Sequence, residues 1–244
     1  MAAMRIAIEP DEDAVAVEAA DVICDAVAAD PGARIGLPTG RTPLAAYAEL
    51  ALREAAGTAD FSGVTIYAID EFADATRTTP GTNSVFFREH LRLRVKALHC
   101  PDAGARYPDV HIRAFAEAIR FGGGLDLCVL GVGGNGHIAF NEPGTGRDAG
   151  ARVVALTDAS RAAHAETFGS LDRVPRRGMT LGVVDLLAAR RVLALATGAH
   201  KADVVRAAIE DAPSAEVPAS WLREHGDVTW LLDEAAAAKL SRRG

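Results

Sequence analysis

The sequence predicts an α/β fold: an open, doubly wound, mainly parallel sheet with helices on both faces. Short apolar runs suited to buried strands alternate with alanine- and leucine-rich stretches of helical period. Several runs end in glycine, proline or an ionisable residue, as strands do where loops leave the carboxyl edge of a Rossmann-like sheet. No composition break, internal repeat or low-complexity segment divides the 244 residues, so residues 1–244 read as a single domain, and 49% hydrophobic content is ample for a core.

Residues 4–8 (MRIAI) suit a first strand, and Pro10, Asp11 and Glu12 start a helix with acidic residues in its first turn. That helix runs to about Ala29, where Asp30-Pro31-Gly32 stops it. Residues 34–37 form a second buried strand, followed by the tight loop PTGRTP (38–43) and the helix LAAYAELALREAA. VTIYAI (64–69) is a β-branched third strand that runs straight into Asp70 and Glu71. Residues 73–83 read as loop, with Ser84 capping a helix VFFREHLRLRV. Then come a helix over 112–120, a strand over 125–130, an apolar run at 153–156, a helix near 160–168 and a strand over 192–196. Helices around 201–209 and 219–225, a strand over 228–232 and a terminal helix from Asp233 complete the chain. Trp221 and Trp230 read as core, and Arg242 and Arg243 as cations at the last helix end.

A formal net charge of −7 argues against a nucleic-acid partner and leaves a small molecule as the expected one. Cys24, Cys100 and Cys128 are odd in number and lack CxxC spacing, so neither a disulfide framework nor a zinc site is suggested. The histidines other than His137 show no HxH or HExxH spacing, and no metal is expected. The N-terminus reaches acidic residues too soon for a signal peptide, and no apolar run is long enough to span a bilayer. A cytoplasmic protein without a membrane partner is expected, with monomer and homo-oligomer both open.

Three loops leave the predicted strands at one edge, where parallel sheets bind ligands. In PTGRTP, Thr42 reads as the N-cap and Pro43 as the first helical residue, exposing free N–H groups to an anion, with Gly40 giving room and Arg41 adding charge. Asp70, directly after an apolar strand, is placed for burial that would raise its pKa and make it a usable base. The stretch LCVLGVGGNGHIAFNEP (127–143) breaks a buried strand at Gly131, Gly133 and Gly136 and sets His137 and Glu142 just beyond. Its GxGxxG string does not read as a dinucleotide site, because residues 137–143 have no helical period and end in proline.

With these residues assembled, nearly the whole chain resembles the glucosamine-6-phosphate deaminase (isomerase) family, whose fold is shared with the 6-phosphogluconolactonases. GVGGNGHIAFNEP is similar to the family signature, PTGRTP to its substrate-phosphate loop and Asp70 in IDEF to its proton-transfer aspartate. The resemblance implies that His137, oriented by Glu142 and supported by Asn135, assists opening of a pyranose ring. Asp70 then carries the C2 proton to C1, without metal or organic cofactor. It also implies substrate contacts at Thr39, Gly40, Arg41, Thr42, Glu71, Gly133, Gly136 and Lys201. The partner would be an amino-sugar phosphate.

Two departures from the family pattern stand out. Glu166 occupies the place of an arginine that grips the phosphate, and a carboxylate would repel that dianion. Arg41 is expected to replace the guanidinium, held by Glu166, with Arg147 a further cation after the signature. Val154 stands where a lysine of the family's allosteric site is expected, although Arg152 persists, and hyperbolic kinetics follow. His164 is a candidate for the pocket wall. Another amino sugar, a lactonase and a non-catalytic sensor remain alternatives, the lactonase being disfavoured by Asp70 and the NEPG ending.

Overall fold

The structure is a computed structural model and describes residues 4–241. Seven strands, β1 (Arg5–Glu9), β2 (Arg34–Leu37), β3 (Thr65–Ala68), β5 (Ala97–His99), β6 (Leu127–Gly131), β9 (Arg191–Ala196) and β10 (Val228–Asp233), form one sheet. Its spatial order is β1-β10-β9-β6-β2-β3-β5, and every neighbouring pair is parallel. Three more, β4 (Asp70–Phe72), β7 (Arg152–Ala155) and β8 (Arg177–Thr180), make a small antiparallel sheet in the order β4-β8-β7.

Strand residues alternate between two buried faces, which is why the central strands are apolar throughout. Leu127 and Val129 of β6 join Leu193, Leu195 and Leu231 in one core, covered by α1 (Glu12–Ala29), α2 (Arg41–Ala55) and Phe87 of α3 (Asn83–His90). Cys128 and Leu130 join Val192, Ala194 and Trp230 in the other. Its cover is α4 (Pro108–Phe121), α6 (Val183–Leu187) and α7 (Ala202–Glu210). The helix α5 (Asp158–His164) lies beside a third cluster of Phe72, Phe140, Leu156, Phe168 and Val174, next to the small sheet.

The observed architecture is the predicted α/β class, with local differences. The antiparallel sheet was not anticipated: β4 and β8 are short, and pairing rather than apolar pattern makes them strands. The helix after residue 83 stops at His90, because the chain turns towards β5 with the Arg94 amide bound to the Glu54 carboxylate at 3.1 Å. Pro218–Glu224 is a 3-10 helix, and α5 ends at His164, four residues short of the expected Phe168. Residues 234–239 are turns rather than a helix. There the Asp233 carboxylate takes the Ala236 amide at 2.7 Å, as a helix N-cap does, and the Gly198 amide at 2.9 Å, but the chain goes on in turns, with the Ala238 amide on the Ala235 carbonyl and the Leu240 amide on the Ala237 carbonyl. Arg242 and Arg243 lie outside the described residues. No described helix is long and apolar enough to cross a membrane.

Trp230 is fully buried, whereas Trp221 is half-buried and donates its indole N–H to the Thr145 carbonyl at 3.1 Å. Trp230→Ala is expected to cost about 3–5 kcal/mol in urea unfolding, the range for emptying an aromatic core site.

Candidate active site

The strand order reverses between β2 and β6: β3 and β5 lie to one side, β9, β10 and β1 to the other. Loops leaving such neighbours diverge and open a crevice at the carboxyl edge. A cavity of 330 Å³ lies there, and the three loops singled out in the sequence all reach it. Its walls include Thr39, Gly40, Arg41, Thr42, Asp70, Gly133, His137, His164 and Lys201.

One end of the cavity is formed by the start of α2. The helix begins at Arg41, with Gly40 rather than Thr42 as N-cap and with Pro43 at its third position. Gly40 can cap because it adopts φ 118°, a left-handed value that frees the following N–H groups, and the space where a Cβ would sit is open. Thr42 Oγ1 instead lies 3.1 Å from Thr197 Oγ1, and the buried Tyr47 hydroxyl donates to the Pro38 carbonyl at 2.6 Å, fixing the loop from below. Lys201, on a short 3-10 turn after β9, completes this end. Burial lowers its pKa, and the Arg41 charge adds to that, while Glu12 and Asp233 oppose it. Arg41 is largely exposed and pairs with Glu12 at 3.8 Å, not with Glu166, which is exposed and outside the cavity wall. Arg147 is bound to Glu224 and Asp148 and takes no part in that wall.

Asp70 and Glu71 are adjacent but have different environments, since alternate strand residues point to opposite faces. Glu71 is fully buried and makes no part of the cavity wall. Its carboxylate accepts from the Phe72 amide at 2.8 Å, the Asn83 amide at 2.8 Å, and Ser84 through its amide at 2.7 Å and hydroxyl at 2.5 Å. It therefore caps α3 from outside, a task the sequence had suggested for the Ser84 side chain. Burial raises the Glu71 pKa, opposed by those donors. Asp70 faces the cavity and is only 8% exposed. Burial pushes its carboxyl up to about 7, the neighbouring Glu71 charge adds to this, and a hydrogen bond from Asn83 opposes it.

The residues after β6 fold back through two antiparallel bridges, Val132 with Ile138 and Ile138 with Asn141, and no helix follows the glycines. Ala139 sits at φ 49°, a strained value held by those bridges beside the cavity. Gly133 is required because a Cβ there would penetrate the His137 ring. Gly136, at φ 86°, instead backs onto Val204 and Val217 and makes no part of the cavity wall. Asn135 donates Nδ2 to Glu142 Oε2 at 2.7 Å, which leaves its Oδ1 2.7 Å from His137 Nδ1. This network assigns the proton to Nδ1 and leaves the Nε2 lone pair of His137 free. Glu142 Oε1 lies 3.8 Å from His137 Nδ1 and accepts from the Ser160 hydroxyl. Burial lowers the His137 pKa, the Glu142 charge opposes this and the Lys201 charge reinforces it. His164 stands edge-on to Phe72 at 5.1 Å between ring centroids, and its pKa is lowered by burial and by the nearby His137.

Asn83 and Ser160 were not singled out as site residues in the sequence. Both come from segments remote in the chain, and only the fold brings them to Asp70 and Glu142. Arg152 donates to Asn141 Oδ1 at 2.9 Å, the Gly150 carbonyl at 3.1 Å and Thr145 Oγ1 at 3.3 Å, and so is engaged within its own loop.

Fold and cavity define a class: a parallel α/β protein with a buried carboxyl, a histidine–amide–carboxylate chain and a helix N-terminus around one cavity at the carboxyl edge of its sheet. The chain belongs to the family described as glucosamine-6-phosphate isomerases/6-phosphogluconolactonase, whose profile matches residues 10–230. A glucosamine-6-phosphate deaminase of Halothermothrix orenii is 35% identical over 97% of this chain and 100% of its own. That of Cutibacterium acnes is 38% identical over 98% and 93%. The solved structure of a monomeric glucosamine-6-phosphate deaminase superposes with a TM-score of 0.93 at 31% identity, covering 97% of this chain and 100% of that one. The 6-phosphogluconolactonase of Trypanosoma brucei, at 20% identity, TM-score 0.76 and coverage of 99% and 100%, shares the fold.

Because Asp70 is raised by folding, the native state holds its proton more tightly than the unfolded chain does. The resulting stability is present below about pH 4 and is lost as pH rises towards about 7. Asp70→Asn is expected to be more stable than the parent at pH 8, by about 2–4 kcal/mol, with the difference vanishing near pH 4. Denaturant titrations at the two pH values measure this.

Proposed function

We propose that the chain is a deaminating aldose–ketose isomerase that converts glucosamine 6-phosphate and water to fructose 6-phosphate and ammonia. The observation that carries this reading is the meeting of Asp70, the His137–Asn135–Glu142 relay and the α2 N-terminus with Lys201 around one cavity. The deaminases at 35–38% identity over nearly the whole chain support the choice of substrate.

The free Nε2 of His137 takes the proton from the anomeric hydroxyl and returns it to the ring oxygen, opening the pyranose. Glu142, held by Asn135 and Ser160, stabilises the imidazolium that forms in between. Asp70 removes the C2 proton of the open amino aldehyde, with electrons flowing into the C1 carbonyl, and the enolamine regains that proton at C1. The C2 imine then adds water and expels ammonia. The aldehyde itself is the electron sink, so this route calls for no metal or organic cofactor. The phosphate lies against the α2 N-terminus and Lys201, where free N–H groups and a cation converge.

Purified protein supplied with glucosamine 6-phosphate is expected to release ammonia and fructose 6-phosphate in equal amounts. Asp70→Asn should lower kcat by at least about a hundredfold, in keeping with the loss of a general base. The acid limb of kcat/KM should rise with pH to a midpoint near 7, because Asp70 must be ionised to act. Absence of both products from the folded protein would reject the reading.

Arg41 supplies charge in place of the guanidinium lost at Glu166. It borders the cavity, and the Glu166 carboxylate points no charge into it. Arg41→Ala is expected to raise KM for the phosphorylated amino sugar about three- to tenfold, a modest loss suited to an exposed ionic contact, with little change for unphosphorylated glucosamine. Steady-state assays on the two sugars separate these outcomes, and equal effects would exclude the phosphate role.

A further inference from the structure

Asn83 is 97% removed from solvent at the first turn of α3, and each polar group of its side chain is engaged. Its Nδ2 donates to Asp70 Oδ1 at 2.6 Å and to the Asp70 carbonyl at 3.0 Å, and its Oδ1 accepts from the Thr39 hydroxyl at 3.1 Å. Turning the amide over would set its oxygen against two Asp70 oxygens, so the orientation has one solution. Its own backbone N–H is held by Glu71, which locks the first turn of α3 in place behind it. Among the described residues, Asn83 is the side chain that donates to the Asp70 carboxylate.

The Thr39 hydroxyl spends its proton on Asn83, so it meets a ligand only as an acceptor. Thr39, Asn83 and Asp70 thus form a continuous chain from the loop at the start of α2 to the base. We propose that Asn83 is the positioning residue of this site: it fixes the Asp70 rotamer so that the second carboxylate oxygen faces the substrate, and it ties that rotamer to the anion-binding loop through Thr39. The proposal rests on the reading of Asp70 as the proton-transfer base.

The titratable and charged groups facing Asp70 are Glu71 on its own strand, Tyr47 on α2, and His137, His164, Lys201 and Arg41 around the cavity. Glu71 and burial both favour the protonated acid, and the Asn83 amide opposes them. Losing that donor leaves Asp70 both free to rotate and harder to ionise.

The test compares the parent, Asn83→Ala and Thr39→Val. The Asp70 carboxyl carbon is followed by NMR across pH, assigned with Asp70→Asn, and kcat and KM for glucosamine 6-phosphate are measured alongside. In Asn83→Ala the Asp70 midpoint is expected to move up by about one pH unit, as for removal of one charge-assisted hydrogen bond. Its kcat should fall about ten- to a hundredfold, with KM changed less than about threefold, as for a base displaced within an intact binding site. Thr39→Val leaves the Asn83–Asp70 bond in place, so its Asp70 midpoint should move less than that of Asn83→Ala while its kcat falls. If Asn83→Ala does not fold, Asn83→Ser takes its place with the same expectations. An unmoved midpoint together with an unchanged kcat would overturn the proposal, as would a loss of activity that appears only as a lower folded fraction. A parent that turns over no glucosamine 6-phosphate would instead remove the functional reading, while the carboxyl titration would still decide whether Asn83 governs Asp70.

Discussion

Two neighbouring carboxylates buried beside a ligand cavity impose the constraint that the surrounding structure answers. A buried charge without partners costs several kcal/mol, so each must be paired or keep its proton. Glu71 is paired: the first turn of α3 closes over it with backbone and hydroxyl donors. Asp70 receives a single side-chain amide and is left otherwise to the cavity. The same helix end thus fixes one acid and leaves the other responsive to pH. The placement of α3, the otherwise unremarkable segment before it and the small sheet that carries both acids all follow from this unequal treatment.

On the opposite wall the logic is reversed. His137 is flanked by an amide whose orientation is set by Glu142, and Glu142 is itself held by Ser160 from α5. The cations and helix end border the same cavity as Asp70, whereas Glu71 stays behind its wall. On the proposed reading, a substrate with its phosphate against α2 presents its carbon chain to Asp70 and His137 within this one cavity.

Much of this was legible in the sequence. The apolar runs of β2, β6, β9 and β10 were visible because both faces of each strand are buried, and the three loops could be grouped because parallel strands place their carboxyl ends on one edge. The small sheet was not legible, since RGMT at β8 has no strand pattern of its own and depends on pairing with β4 and β7. Glu71 lies off the cavity wall, and adjacency to Asp70 does not reveal which of two alternating side chains meets the cavity. Thr42 looks like a cap by composition, but a glycine able to take positive φ two residues earlier starts the helix sooner. The alanine-rich tail has helix propensity and a capping Asp233, yet its few residues stay in turns, too short a run to propagate a helix.

Between β3 and β4 the chain changes sheets across a single residue, Ile69, whose carbonyl accepts from the Leu181 amide at 2.9 Å. Asp70 consequently belongs to the small antiparallel sheet, whereas His137 follows a strand of the large one. Beside the cavity, Phe72 of the small sheet packs edge-on against Phe140, which follows the large-sheet strand, with ring centroids 5.3 Å apart and Gly178 too close beneath the Phe140 ring to carry a side chain. The seating of Asp70 relative to His137 thus depends on how the small sheet docks on the large one, and this aromatic pair is part of the joint. A change of volume in that aromatic layer would shift one sheet against the other while every ionisable residue stayed the same.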